Sequence, residues 1–238
     1  MGSDHKQKSR AAFDRQARDY DTKPYGRHAR RLHADVMAAI ERFRFTEVLD
    51  VGCGTGATLA AIIAAHPDVG AWGIDLSPEM IGVARGRLGG GADVQVADAE
   101  HLPLSDGSVE LVICVDSLHH YPDPAAALAE MRRVTRPGGG LVLGEWRVAA
   151  PFRHLMNWML PRMPEGDVRV YTAAEVKGLA EAAGTAWTTA SARACAVSSS
   201  LRAGNRAEPG PLCTPAAPGM QEEAAEKIEA GLRAALAG

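Results

Sequence analysis

Four carboxylic acids end four short apolar runs, and three glycines follow the first of them at alternate positions. The runs are Val48-Leu49-Asp50, Ala71-Trp72-Gly73-Ile74-Asp75, Val94-Gln95-Val96-Ala97-Asp98 and Leu111-Val112-Ile113-Cys114-Val115-Asp116; the glycines are Gly52, Gly54 and Gly56. Glycine suits a chain that must turn through conformations a Cβ penalises and let a ligand approach the main chain. The orphan amides of a helix opening there aim donors at the same spot. Carboxylates along one sheet edge accept from hydroxyl or amino groups and repel a pyrophosphate. His119 and His120, just past the fourth run, add imidazoles able to take a proton near neutrality.

The glycine run alone leaves two ligands open. Gly52-Cys53-Gly54-Thr55-Gly56-Ala57 satisfies the dinucleotide fingerprint G-x-G-x-x-G/A, and Asp75, about 20 residues on, falls where such folds hold ribose hydroxyls. NAD and S-adenosylmethionine both carry that ribose. The surplus of acids weighs toward the second.

Taken in order, VLDVGCGTG, GIDLSPEMI, ADAEHLPLSDGSVELVICVDSLHHYPD and RRVTRPGGGLVL resemble the small-molecule, type 11-like group of class I S-adenosylmethionine-dependent methyltransferases. The resemblance runs from about Phe13 to Ala194 and rests on four ordered blocks agreeing in spacing. It implies S-adenosyl-L-methionine as cofactor, S-adenosyl-L-homocysteine as product and no metal. It also implies that Asp50, Gly52, Cys53, Gly54 and Gly56 form the loop around the methionine moiety. Asp75 then holds the ribose with Leu76 flanking the adenine, Asp98 accepts from the adenine amino group, and the Ala99 amide donates to its ring. Val115 or Asp116 offers a carbonyl to the methionine ammonium, and Met80 and Glu100 complete the cofactor contacts. Phe13-Asp14-Arg15-Gln16-Ala17-Arg18-Asp19-Tyr20-Asp21 resembles the F-D-x-x-A-x-x-Y-D segment that covers the cofactor, which puts Tyr20 at the site.

Methyl transfer asks the protein mainly for alignment, because the cofactor carries the hard chemistry. An oxygen or nitrogen acceptor of high pKa still needs a base. His119 and His120 are the candidates, with His119 preferred; the competing reading has one of them merely packing the loop. That loop lacks the Asn/Asp-Pro-Pro-Tyr sequence of enzymes acting on exocyclic base amines.

Apolar runs alternating with helical patterns predict βαβ units and a parallel sheet. The expected fold is α/β, a doubly wound, mostly parallel seven-stranded Rossmann-like sheet with a helical N-terminal preface. Residues 1–202 form the domain, divided into cap helices over 10–44, a cofactor-binding core over 46–145 and a candidate acceptor lid over 146–171. Helices are expected near Gly56–Ala65, Pro78–Leu88, Pro124–Val134 and Ala173–Ala183, and a fifth strand near Gly140–Glu145 after an Arg136–Gly140 turn. The lid carries Phe152, Leu155, Met156 and Met159 at helical spacing, which equally suits a helix packed on the body. Only a weak strand pair can be drawn through 185–200. Residues 203–220 read as a Pro/Gly-rich linker and 221–238 as a short amphipathic helix.

Composition narrows the function. A chain of 238 residues, 46% hydrophobic, can bury a core without staples. Its net charge of −3 gives no overall attraction to nucleic acid or anionic membrane, and the arginines near the N-terminus are interleaved with acids. The four cysteines show no metal-ligand spacing, which predicts a cytoplasmic protein. No apolar run approaches the roughly 18 residues of a membrane span. The expected partner is a small-molecule methyl acceptor, the expected state a monomer or homodimer. Two other readings stay open: a non-catalytic cofactor-binding sensor or scaffold, and a dinucleotide oxidoreductase.

Overall fold

The computed structural model describes residues 2–198 apart from 24–25, 147, 149, 161–162, 164–165 and 190–193, with side chains described as far as Thr185. The linker and helix expected over 203–238 lie outside the described residues.

Seven strands form one sheet, β1 (Glu47–Val51), β2 (Gly70–Asp75), β3 (Asp93–Val96), β4 (Val109–Val115), β5 (Thr135–Gly144), β6 (Ala186–Thr189) and β7 (Ala194–Ser198). Their order is β3-β2-β1-β4-β5-β7-β6. The first five neighbours are parallel, and β7 runs antiparallel between β5 and β6. The chain turns from one half of the sheet to the other between β1 and β4, the place where open α/β sheets leave a crevice past their carboxyl ends.

Alternation along the strands divides the core in two. Val48, Leu111, Ile113 and Val142 face one layer, formed with α2 (Arg27–Ile40), α3 (Ala57–Ala65) and α4 (Pro78–Leu88). Leu49, Val51, Val112, Cys114, Leu141 and Leu143 face the other, with α5 (Pro124–Val134) and α7 (Ala173–Ala182). Both faces of the central strands are therefore apolar, as a parallel sheet covered on both sides requires. Local signals place the helices. The Ser77 hydroxyl accepts from the Met80 amide and Pro78 opens α4; Asp123 accepts from the Ala126 amide ahead of α5. Thr172 and Glu175 close a reciprocal capping box on α7.

Three boundaries differ from the expectation. Strand β5 begins at Thr135 rather than Gly140, because Thr135 pairs with Val109 and Gly140 with Leu111, so Arg136–Gly139 is a bulge inside a strand rather than a turn before it. Strand β3 stops at Val96, and Asp98 stands beyond it in an isolated bridge with His101. The N-terminal helix, α1, spans Gly2–Gln16 instead of starting near residue 10, supported by the Asp4–Lys8 and Arg10–Asp14 pairs one turn apart. It packs on α4 and on a single 3-10 turn, Leu118–His120, across the carboxyl edge of the sheet.

Candidate active site

A cavity opens over the switch point, between the carboxyl ends of β1, β2 and β4 and the underside of α1 and α2. The glycine loop forms its floor. Gly52, Gly54 and Gly56 have φ of 78°, 53° and 76°, all in the left-handed region. A Cβ at Gly52 would fall 2.1 Å from Ser117 Oγ, whereas one at Gly54 would meet no atom within 4 Å and would project into open space. Gly56 does not line the cavity; a Cβ there would stand 3.2 Å from that of Ala84, so its absence lets α3 lie against α4.

Asp75 fastens this loop. Its carboxylate accepts from the Gly54 amide at 2.9 Å and the Ser77 amide at 2.8 Å. Burial pushes its pKa up to about 6, against those two bonds. Asp50 is buried with Oδ1 lacking a partner, and burial together with Asp75 lifts it to about 8. Asp116, at φ 52°, also keeps an unpartnered Oδ1, and burial raises it to about 6. Three acids in one pocket, two with orphaned oxygens, call for a ligand that brings donors and positive charge.

Lys6 of α1 closes the far end. Its ammonium reaches Asp98 Oδ2 at 2.6 Å and Glu100 Oε2 at 2.5 Å, while the Glu100 amide donates to Asp98 Oδ1. Glu100 itself faces away from the cavity and also accepts from the Asp123 amide. Asp21 fastens the other end of the cap: it accepts from the Thr55 hydroxyl at 3.0 Å and pairs with Arg87, which also donates to the Thr55 carbonyl. Tyr20, between them, is half-buried beside Asp116 and Asp75, and desolvation raises its phenol. Cys53 lines the floor as a buried thiol pushed well up, chiefly by burial, so it carries no nucleophilic thiolate.

The histidine pair splits. His119 turns away from the cavity, with Nδ1 2.9 Å from Glu145 Oε2, whose other oxygen accepts from the Ser117 and Leu118 amides. Burial alone would lower its pKa, but the Glu145 carboxylate outweighs that and raises it to about 9. His120 lines the cavity, edge-on to Phe13 at 4.8 Å, its Nδ1 2.8 Å from Asp167 Oδ1 but poorly aligned for a hydrogen bond. Burial and the neighbouring His119 charge lower its pKa.

Of the residues singled out from sequence, Tyr20, Asp50, Gly52, Cys53, Gly54, Asp75, Leu76, Met80, Asp98, Ala99, Val115, Asp116 and His120 line this one cavity; Gly56, Glu100 and His119 stand behind it. Sequence reasoning missed Lys6, Arg30, His33 and Arg87, which also line it, and carried Asp21 only as the last residue of the covering segment. The signal of Lys6, Arg30 and Arg87 was faint, since a cation on a helix looks like a solvated one. No described residue between 146 and 171 lines the cavity; that segment meets its wall where Asp167 stands beside His120.

A doubly wound sheet with a glycine floor and a row of carboxylates at its switch point defines a Rossmann-like α/β protein with a ligand-sized cleft. Residues 49–143 match the methyltransferase domain family. An O-methyltransferase from Pyrenophora dematioidea is 37% identical over 120 residues, 48% of this chain and 45% of the relative. A malonyl-[acyl-carrier protein] O-methyltransferase from Geobacter sulfurreducens is 36% identical over 138 residues, 56% of this chain and 51% of the relative. A solved S-adenosylmethionine-dependent methyltransferase from Aquifex aeolicus shares the fold with a TM-score of 0.58 at 22% identity, over 78% of this chain and 96% of that one. Over residues 49–143 the chain carries a methyltransferase domain, similar to those of the class I S-adenosylmethionine-dependent methyltransferases. It spans about half the length of the curated relatives it matches.

Proposed function

We propose that this chain binds S-adenosylmethionine in the cavity and transfers its methyl group to an O, N or C atom of a small-molecule acceptor. The observation that carries the reading is the convergence of Asp50, Asp75, Asp98 and Asp116 on one glycine-floored pocket. Asp75 retains lone pairs for ribose hydroxyls beyond its two backbone bonds, and the open space at Gly54 gives a ligand direct access to the main chain. The orphaned Asp50 and Asp116 oxygens suit an ammonium and a sulfonium better than a pyrophosphate. When bound, the cofactor supplies an electrophilic methyl group on a sulfonium and leaves as S-adenosylhomocysteine.

The chain's own part is to orient, exclude water and move a proton. Phe13 and Tyr20 close the cavity from above. His120, held neutral at pH 7 by burial, is the base that takes a hydroxyl proton from the acceptor. His119, protonated against Glu145, is unfit for that task and serves to keep its neighbour neutral. Two adjacent imidazoles driven apart in pKa mark a division of labour between acid–base partners. The buried free thiols Cys53 and Cys114 suit a reducing cytoplasm.

Calorimetric titration with S-adenosylmethionine, S-adenosylhomocysteine and NAD in parallel tests the reading. Micromolar binding of both adenosyl ligands with none of NAD is expected. Binding of NAD alone, or of no ligand, overturns it. Tight binding without turnover across an acceptor screen favours a sensor or scaffold instead.

A further inference from the structure

Behind the cavity wall, the stretch 166–170 is fixed at three points. Gly166, at φ 78°, packs so closely on α1 that a Cβ would lie 2.5 Å from the Ser9 nitrogen. The Val168 amide donates to the His119 carbonyl at 2.9 Å. Asn157 of α6 (Ala150–Met159) grips Val170, donating to its carbonyl and accepting from its amide. Asp167 stands between the first two anchors, and its Oδ1 lies 2.8 Å from Nδ1 of His120.

We propose that Asp167 is the positioning residue of the base: it holds the proton of neutral His120 on Nδ1, leaves Nε2 for the acceptor, and balances the charge the ring gains; this rests on the role given to His120 above. Access chooses the nitrogen. Nδ1 of His120 is shut away from solvent while the residue lines the cavity, so Nε2 is the atom an acceptor can reach. A carboxylate oxygen beside Nδ1 then fixes the tautomer, because it repels a nitrogen lone pair and accepts from an N–H. The poor alignment of that contact suits a bond that tightens once the acceptor binds and the ring becomes charged.

Charge makes the carboxylate necessary. His119, charged against Glu145, has its ring centre 4.1 Å from that of His120. Alone, that imidazolium would oppose any proton arriving on its neighbour. The charged groups acting on His120 are His119, Asp167 and Glu145, while Asp116 acts on His119 and α1 covers the ring with Phe13. Of the α1 charges, Lys6 is taken by Asp98 and Glu100, and Arg10 and Asp14 pair with each other. Glu145 is committed to His119 and to the Ser117 and Leu118 amides. Asp167 is therefore the carboxylate that offsets a second positive charge. As the acceptor oxygen takes up the methyl group, its proton passes to Nε2 and the electron pair of the broken methyl–sulfur bond stays on sulfur. The ring then holds a proton on each nitrogen, its charge set against Asp167.

NMR of the histidine ring nitrogens tests this in the full chain, free and with S-adenosylhomocysteine, the His120 signals being identified by their loss in His120→Gln. Neutral His120 should carry its proton on Nδ1. A neutral His120 protonated on Nε2 overturns the proposal, and that reading needs no variant at Asp167. Asp167→Asn should weaken proton binding at His120 about tenfold or more with S-adenosylhomocysteine affinity unchanged, and Asp167→Glu should recover most of it. Proton binding that Asp167→Asn leaves intact also overturns the proposal. So does a His120 titration displaced by micromolar Zn2+ or Mn2+ and restored by EDTA, because His119, His120 and Asp167 offer donor atoms within 4.8 Å of one another and would then be holding a metal. Turnover unaltered in His120→Gln would sink the base itself, and is told apart from these outcomes because the NMR readings need no acceptor.

Discussion

Two adjacent histidines with opposite fates show how far environment sets chemistry. His120 is neutral above a pKa that burial holds below the usual 6.5, so kcat/KM toward a hydroxyl acceptor should rise with pH through that value and then level off. His120→Gln should lower kcat by about 10²–10⁴ with cofactor affinity unchanged; an unaltered rate removes it as the base. His119 works in the other direction. Its folded pKa, about 9, exceeds the unfolded 6.5, so its stabilising pairing with Glu145 is fully present below pH 6.5 and lost as pH climbs through 9. Thermal unfolding should show Tm falling across that window, and Glu145→Gln should flatten the fall. The acids give a third residue-level result. At pH 6 Asp75 and Asp116, near 6, are partly protonated and Asp50, near 8, almost wholly so, and a cationic ligand favours their charged forms. Binding of S-adenosylmethionine at pH 6 should release protons, read from titrations in buffers of different ionisation enthalpy. The same measurement with neutral S-adenosylhomocysteine should release fewer. Equal release by both ligands would count against the acids as the cation's partners.

Among the elements, α1 departs most from what its sequence suggested. Met1–Arg10 is polar throughout, yet the helix built from it roofs the cavity because Lys6 bridges Asp98 and Glu100 and Asp14 accepts from the Ser77 hydroxyl. Lys6 is 22% exposed, so its two bonds are better shielded than a surface pair, whose worth is about 0–1 kcal/mol. Lys6→Ala should speed S-adenosylmethionine dissociation in stopped flow and raise amide hydrogen exchange along α1. If exchange along α1 stays slow, the helix is held by Phe13 and its apolar neighbours instead. The starts of α4, α5 and α7 were legible, at Pro78, Pro124 and Ala173, because each rests on a short local signal, which the structure completes with the caps Ser77, Asp123 and Thr172 with Glu175. The bulge at Arg136–Gly139 was not, because its register is set by β4 across the sheet.

For the molecule as a whole, stability depends on the central strands, where both side-chain rows are buried. Ile113 in β4 is fully buried, and Ile113→Ala should cost about 2–5 kcal/mol in urea unfolding, the range for deleting that much buried hydrocarbon. The identity of the sheet, the glycine floor and the order of its acids could be read along the chain, since each depends on local spacing: short continuous apolar runs, alternate glycines, an acid where an apolar run stops. The partners of those acids could not. That Lys6 lies across from Asp98, 92 residues away, or that His120 rather than His119 meets the cavity, depends on how distant segments close over the sheet. A one-residue difference in a 3-10 turn reverses which imidazole faces the ligand, and no local rule fixes that rotation. The expected lid shows the same division. Helical spacing of Phe152, Leu155 and Met159 foretold a helix, but only the grip of Asn157 on Val170 decided that its apolar side would face outward. Periodicity specifies an amphipathic element; packing against the rest of the chain chooses which way it points.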